Sequence, residues 1–173
     1  MLVDLALGSG LRVNELRQLQ VSDMIIEGGR RSIVVRRGKC GKSRNVVVGE
    51  DLVQHVREFL TWKDSLGEPG EPSSPLFWSA RSSGVYARRS LQKMFKTAAR
   101  KAGLASHVSI HCTRHTYAVH LYKASGYNLR LVQKQLGHSS IRVTQIYADV
   151  FDADLVSAVD RLYGTAHEKP TRL

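Results

Sequence analysis

The sequence is poor in the features that mark disulfide-stabilised, secreted and membrane-spanning proteins. Two cysteines, Cys40 and Cys112, are too few for a disulfide framework. No apolar run approaches the roughly 20 residues that a membrane-spanning helix needs. Residues 1–7 are too short for a signal peptide and lack its basic start. We therefore expect a protein of the reducing cytoplasm with no membrane segment.

Acidic residues are missing from two stretches that are rich in arginine and lysine. Residues 30–44 and residues 81–101 each hold seven basic side chains and no acid. Together they carry +14, so the other residues sum to −3 against the net charge of +11. Such concentrated basic patches favour a polyanionic partner, with nucleic acid first. The alternative is a basic surface that serves only solubility.

Hydrophobic periodicity predicts a single domain of the α+β class that is mainly α. The chain has 173 residues, of which 42% are apolar, as is typical of one globular domain. We expect a helical bundle with a small three-stranded antiparallel sheet. The predicted strands are residues 25–26, 32–37 and 45–48, and the predicted helices are residues 2–7, 12–20, 51–64, 85–102, 111–124 and 129–136.

Two further helices are predicted near the C-terminus. The first is capped by Ser139 or Ser140 and carries Tyr147. The second begins at Asp152, has an apolar stripe and ends at Gly164. We therefore expect residues 1–164 to form the domain and residues 165–173 to be a disordered tail.

The helix predicted over residues 85–102 has an apolar side and a basic side. Its apolar positions, among them Leu91 and Phe95, follow a period of about 3.6 residues. A helix with such an apolar back and a basic front can lie along DNA, although a solvated charged face gives the same pattern. The basic stripe, at i, i+4, i+7 and i+11, consists of Arg89, Lys93, Lys96 and Arg100.

Arginines, lysines, histidines and a tyrosine are grouped in a way that indicates chemistry at a phosphate. Arginine forks match phosphate oxygens and keep their charge. A tyrosine becomes a competent nucleophile when nearby cations lower its pKa or a histidine takes its proton, and a lysine can protonate a departing oxygen. The groups are Gly10-Leu11-Arg12-Val13-Asn14-Glu15-Leu16, Gly38-Lys39-Cys40-Gly41-Lys42, His111-Cys112-Thr113-Arg114-His115, Leu136-Gly137-His138 and the single Tyr147.

A zinc site is a competing interpretation of the same histidines. His111, Cys112, His115 and His138 are all metal-ligand types, and the first and third lie at i and i+4. A zinc hydrolase, however, needs a glutamate directly after the first histidine, where this chain has Cys112. Arg114, between the two histidines, would also repel a dication. We therefore expect neither a metal nor another cofactor.

In order and spacing, these motifs resemble those of the tyrosine recombinase, or phage integrase, family. The resemblance runs over residues 2–163, and its strength lies in the complete set, because any single motif is weak. It implies a catalytic domain for site-specific DNA recombination, encoded by a bacterium or by a mobile element such as a phage. The matching segments are Gly10-Leu11-Arg12-x-x-Glu15-Leu16, Gly38-Lys39-x-x-Lys42-x-Arg44, His111-x-x-Arg114-His115, Leu136-Gly137-His138 and Thr144-Gln145-Ile146-Tyr147.

The resemblance implies how the reaction proceeds. Arg12 and Arg114 would clamp the scissile phosphate, and His138 would bind it as well. Tyr147 would attack, leaving a 3′-phosphotyrosyl link and a free 5′-hydroxyl, and His111 would assist proton transfer at the tyrosine. Because the link conserves the energy of the phosphodiester, the reaction needs no ATP and no metal.

The resemblance also implies supporting residues. Lys39, in preference to Lys42, would protonate the 5′-oxygen. Glu15 and His115 would orient Arg12 and the site, although a surface ion pair and a core histidine are the plainer interpretations. The candidate contacts to the DNA backbone are Lys42, Arg44, Arg89, Lys93, Lys96 and Arg100.

The chain departs from the family pattern at its start. We expect that this chain lacks the N-terminal DNA-binding domain and the opening helix of the catalytic domain, and that it therefore binds double-stranded DNA weakly and in a salt-sensitive manner. We also expect exposed apolar surface on residues 2–7. The full-length protein would act as a homo-tetramer on DNA, the isolated domain would be a monomer with its last helix packed in cis, and a directionality protein is a further candidate partner.

Two other functions compete with recombination. A type IB topoisomerase-like enzyme would use the same phosphotyrosine chemistry as a monomer, but the short turn predicted at Gly38-Lys39-Cys40-Gly41-Lys42 and the Leu136-Gly137-His138 motif argue against it. A DNA-binding remnant would occupy sites without cutting them. The complete set of candidate catalytic residues argues against that alternative.

Overall fold

The fold is mainly helical with a small antiparallel sheet, as the sequence predicts. The computed structural model describes residues 1–36, 43–82 and 84–138, and the helices predicted around Tyr147 and beyond Asp152 lie outside them. The helices are α1 (Leu2–Ser9), α2 (Val13–Gln18), α3 (Glu50–Ser65), α4 (Arg88–Lys101), α5 (Ile110–Ala124) and α6 (Leu129–Leu136). The strands are β1 (Met24–Ile25), β2 (Ser32–Val35), β3 (Arg44–Val47), β4 (Trp78–Ser79) and β5 (Gly84–Val85).

The predicted three-stranded sheet has the order β1-β2-β3 and is antiparallel throughout. Ile33 lies opposite Val46, and both side chains are fully buried, because alternate residues of each strand face the core. At the other end of the same pairing, Val35 lies opposite Arg44. The register therefore places Arg44 at the first position of β3, two residues after Lys42 in the sequence.

A second sheet, β4–β5, was not predicted. Trp78 pairs with Val85 in this two-residue ladder, so the prediction that a helix begins at residue 85 is wrong. Helix α4 begins at Arg88, after Ala87 with extended backbone. Strands of two residues are too short to show a period, and Val85 fitted the apolar pattern of the following helix equally well.

Helix α1 is packed into the molecule and does not present the apolar surface expected for residues 2–7. It lies against α5, and Leu5 and Ala6 are completely buried, which leaves Leu7 as its exposed large side chain. The main core joins α1 to α4 and the sheet, and a smaller cluster fills the space between α5 and α6. The end of α1, the start of α5 and the end of α6 consequently meet.

Within the described residues, no helix combines the length and the apolar character that crossing a bilayer requires.

Candidate active site

The turn between α1 and α2 brings Arg12 to the site. Gly10 ends α1 with φ +63°, in the left-handed region that favours glycine. A Cβ at this position would lie 2.5 Å from Cδ1 of Tyr117 and 2.9 Å from Cδ2 of Leu136. Only a glycine allows α5 and α6 to approach the turn so closely, and Arg12 follows it as the N-cap residue of α2.

One carboxylate joins two guanidinium groups. Oε2 of Glu15 accepts from the backbone N–H of Arg12 at 2.8 Å, and Oε1 accepts from Arg12 Nη1 at 3.1 Å. Arg44 donates to the same two oxygens, with Nη1–Oε1 at 2.9 Å and Nη2–Oε2 at 3.0 Å. The Glu15 side chain is only 7% exposed. Glu15 therefore holds Arg12 in a fixed position relative to Arg44, the first residue of β3.

The pKa of Glu15 reflects these contacts. Burial pushes the pKa upward, but the hydrogen bonds from Arg44 and from the Arg12 backbone, with the charges of both side chains, bring it below its usual value. Glu15 is therefore ionised at neutral pH. The guanidinium of Arg44, predicted to contact DNA, is engaged by Glu15 in this structure and its side chain is 14% exposed.

Arg114 lies beneath the site and connects three segments. It is 4% exposed, and Nη1 donates to the carbonyl of Gly10 at 2.6 Å while Nη2 donates to the carbonyl of Leu136 at 2.8 Å. A buried guanidinium needs such acceptors to offset its desolvation. These bonds hold helix α5 to the turn before Arg12 and to the end of α6, two residues before His138.

His138 follows the C-terminal glycine of α6 and lies in a positive electrostatic environment. Burial, followed by the charges of Arg114, Arg12 and Arg44, lowers the pKa of His138 to about 4. The imidazole is therefore neutral at neutral pH. The same positive potential that keeps a proton away attracts an anion, such as a phosphate.

A cavity of about 320 Å³ brings three of the predicted residues together. Arg12, His111 and Arg114 line it, with His111 exposed on the first turn of α5. Gln92 and Lys96 of α4 complete the opposite wall. Lys96, which donates to the carbonyl of Ser106, was predicted only as a DNA contact, and Gln92 was not predicted at all. An arrangement of this kind can hold one tetrahedral anion between two guanidiniums.

The remaining predicted residues are more scattered. Arg89, Lys93 and Arg100 are exposed on α4, but Lys93 borders a separate open groove of about 630 Å³. His115 is exposed on α5. Lys39, Lys42 and Tyr147 lie outside the described residues.

Gln135 ties α6 to the sheet, a role that the sequence did not reveal. Its Nε2 donates to the carbonyl of Val47 and, at 2.9 Å, to the hydroxyl of Tyr117, while its Oε1 accepts from the N–H of Val47 at 3.3 Å. The side-chain amide thus continues the hydrogen bonding of the edge strand β3. Burial raises the pKa of Tyr117, so its hydroxyl stays protonated in this network.

No group of three or more histidine, cysteine or acidic side chains within residues 1–36, 43–82 and 84–138 is arranged to hold a metal ion.

Known proteins are similar to this chain in both sequence and fold. Tyrosine recombinase XerC of Vibrio parahaemolyticus serotype O3:K6 (strain RIMD 2210633) is 34% identical over 168 residues, which cover 97% of this chain and 52% of the relative. XerC of Pelobacter propionicus (strain DSM 2379 / NBRC 103807 / OttBd1) is 36% identical over 164 residues, covering 93% and 49%. The chain therefore spans about half the length of these curated relatives.

Solved structures show the same likeness. The crystal structure of XerA recombinase has a TM-score of 0.75 and 30% identity, covering 92% of this chain and 56% of that one. XerH site-specific recombinase bound to a palindromic difH substrate, in a post-cleavage complex, has a TM-score of 0.74 and 27% identity, covering 92% and 44%. The phage integrase family profile matches residues 1–154. The chain therefore belongs to the phage integrase family.

Proposed function

We propose that the protein is a site-specific tyrosine recombinase whose catalytic domain cleaves and rejoins DNA. The observation that carries this proposal is the convergence of Arg12, Arg114 and His111 on one cavity, with the neutral His138 in the field of both arginines. Two guanidiniums can stabilise the negative charge that develops on a phosphate during attack. The relatives named as tyrosine recombinases support the same reaction.

The proposed cleavage step is a displacement at phosphorus. The hydroxyl oxygen of Tyr147 forms a bond to the scissile phosphorus as the bond to the 5′-oxygen breaks. His111 assists removal of the tyrosine proton, and Lys39 supplies a proton to the departing oxygen. The neutral imidazole of His138 donates a hydrogen bond to the phosphate. The 5′-hydroxyl of a second strand reverses the step, so no ATP is consumed.

Double-stranded DNA is the proposed partner. XerH was solved on its difH substrate, and a Tn1549 transposon integrase of the same fold was solved with circular intermediate DNA. We infer that residues 1–164 form the catalytic domain and that residues 165–173 form a tail. Assembly of four protomers on DNA, an accessory directionality protein and a cytoplasmic, nucleoid-associated location complete the proposal.

The test is covalent trapping on a nicked suicide substrate, drawn from a pool of DNA that flanks the gene. Cleavage releases a short strand, so the intermediate cannot be rejoined and appears as a protein–DNA adduct on a denaturing gel. We expect the adduct in the wild type and in Tyr127→Phe, a control on an exposed tyrosine, and none in Tyr147→Phe. An adduct that persists in Tyr147→Phe refutes the assignment of the nucleophile.

Neither alternative function is favoured by the comparisons. A topoisomerase-like enzyme would relax any supercoiled plasmid without a specific site, whereas the relatives are named as recombinases. A non-cleaving remnant would give site-dependent gel shifts that Tyr147→Phe leaves unchanged, and no adduct at all. The trapping experiment and a plasmid relaxation assay separate the three functions.

A further inference from the structure

Helix α6 carries a second cationic cavity beside His138. The cavity has a volume of about 290 Å³ and is lined by Arg44, Arg130, Gln133, Lys134, Gly137 and His138. None of these described lining residues is acidic. Arg130 and Lys134 are exposed and stand at i and i+4, on one face of α6. Neither belongs to the two basic stretches at residues 30–44 and 81–101.

The position of Arg130 is linked to that of His138. Nη1 of Arg130 donates to Oε1 of Gln133 at 3.1 Å, and Nε2 of Gln133 donates to the carbonyl of His138 at 3.2 Å. The amide of Gln133 therefore connects the guanidinium to the main chain that carries the histidine. Such a cation is oriented before a ligand arrives, which lowers the entropy lost on binding.

The end of α6 is prepared for an anion. The C-terminus of a helix carries partial negative charge on its last carbonyls, and this charge repels a phosphate. Here the carbonyl of Leu136 accepts from Arg114 at 2.8 Å, and the carbonyl of Gln135 accepts from Arg44 at 3.4 Å. The two guanidiniums offset the negative end, so the positive charges of Arg130 and Lys134 dominate the cavity.

We propose that Arg130 and Lys134 bind a DNA phosphodiester that flanks the scissile phosphate on the same strand. The inference rests on the proposed function, because His138 connects the two places. It lines the α6 cavity, and the charges of Arg12 and Arg114 act on it. Phosphates follow one another about every 3.4 Å of helix axis along a strand, so an occupied scissile site brings the next phosphate close. A guanidinium and an ammonium suit its two non-bridging oxygens.

The first test is the salt dependence of DNA binding by the full chain. The slope of log K against log salt concentration is negative. The double variant Arg130→Gln/Lys134→Gln should make it less steep by about 0.9, the change expected for one phosphate contact. The control Arg57→Gln/Lys123→Gln removes the same charge from two exposed residues outside both basic stretches, and it should leave the slope as in the wild type. An equal change in both double variants refutes the site.

The second test locates the phosphate with single methylphosphonates, which are neutral, placed on either side of the scissile position. At the contacted position the substitution should weaken wild-type binding about tenfold and should not weaken the Arg130→Gln/Lys134→Gln variant further. Equal weakening of wild type and variant at both flanking positions overturns the inference. Circular dichroism melting verifies that both double variants fold.

The outcomes separate this inference from the proposed function. If the wild type forms the Tyr147 adduct but the α6 variant keeps the wild-type salt slope, only the α6 site is refuted. If the wild type binds the suicide substrate without forming any adduct, the recombinase proposal fails and takes this inference with it.

Discussion

Glu15 is the residue that fixes Arg12 and Arg44 relative to one another. Its carboxylate accepts from the backbone and side chain of Arg12 and from both terminal nitrogens of Arg44. Bidentate, charge-assisted bonds of this kind fix direction as well as distance. A family motif can point to Glu15, but the partner 29 residues away in sequence is visible only in the fold.

Glu15→Gln should slow cleavage and leave DNA affinity nearly unchanged. The amide cannot accept two bidentate sets, so Arg12 loses its fixed position, and a displacement of about 1 Å can cost about 10²-fold in rate. Single-turnover cleavage of the suicide substrate measures the rate. A gel shift with the same variant combined with Tyr147→Phe, which cannot cleave, measures the affinity for DNA. Glu58→Gln, on the exposed face of α3, is the matched control and should be as fast as the wild type. Equal rates for Glu15→Gln and the control would contradict the role given to Glu15.

His138 should titrate far below an ordinary histidine in the free protein. Its pKa is lowered from 6.5 to about 4 by burial and by the charges of Arg114, Arg12 and Arg44. Nuclear magnetic resonance of the imidazole should show this value, and binding of DNA should raise it because the phosphate offsets the cations. A pKa near 6.5 in the free protein would contradict the electrostatic description of the site.

The same shift has a consequence for stability. Between pH 6.5 and about 4 the unfolded chain takes up a proton at His138 that the folded chain does not. The free energy of unfolding therefore falls as the pH drops through this window, and the contribution is constant above and below it. The variant His138→Gln should lack that part of the pH dependence, as urea denaturation at several pH values can show.

At the scale of elements, the ends of helices position the site. α1 ends at Gly10, α6 ends at Gly137, and both glycines have positive φ. A Cβ on Gly137 would lie 2.7 Å from Cδ of Arg44, and one on Gly10 would lie 2.5 Å from Cδ1 of Tyr117. The sequence shows both glycines and both helix ends, but not which side chains press against them.

Gly10→Ala should destabilise the fold more than Gly103→Ala. Both glycines have positive φ, +63° and +72°, but a Cβ at Gly103 meets nothing within 4 Å. Gly103→Ala therefore measures the left-handed strain alone, about 1–2 kcal/mol. Gly10→Ala adds a clash with Tyr117 and Leu136, which should lower the free energy of unfolding by about 1–3 kcal/mol more. Urea denaturation measures both, and equal losses would contradict the close packing around Gly10.

Residue patterns predicted the helices and the three-stranded sheet but missed the second sheet. Helices α3, α5 and α6 lie within two residues of their predicted ends, because their apolar stripes and terminal residues are clear. The β4–β5 ladder has two residues in each strand and gives no period to detect. The bonds of Gln135 to Val47 depend on how α6 is placed against the sheet, which no local pattern encodes.

At the scale of the whole molecule, distant parts of the chain meet around one cavity. The α1–α2 turn supplies Arg12, and α5 supplies His111 and Arg114. His138 follows α6 and borders the neighbouring cavity, where the charges of the same arginines act on it. The family motifs allowed these residues to be chosen from the sequence. The fold adds the reasons for their arrangement: the buried bonds of Arg114 and the carboxylate of Glu15.

The central claim is that Tyr147 attacks a DNA phosphate held by this site. Mass spectrometry of the proteolysed suicide-substrate adduct tests it most directly, together with end analysis of the released strand. We expect a peptide containing Tyr147 joined to a 3′-phosphate, and a 5′-hydroxyl on the released strand. A nucleotide on any other residue, or a 5′-phosphotyrosyl link, would contradict it.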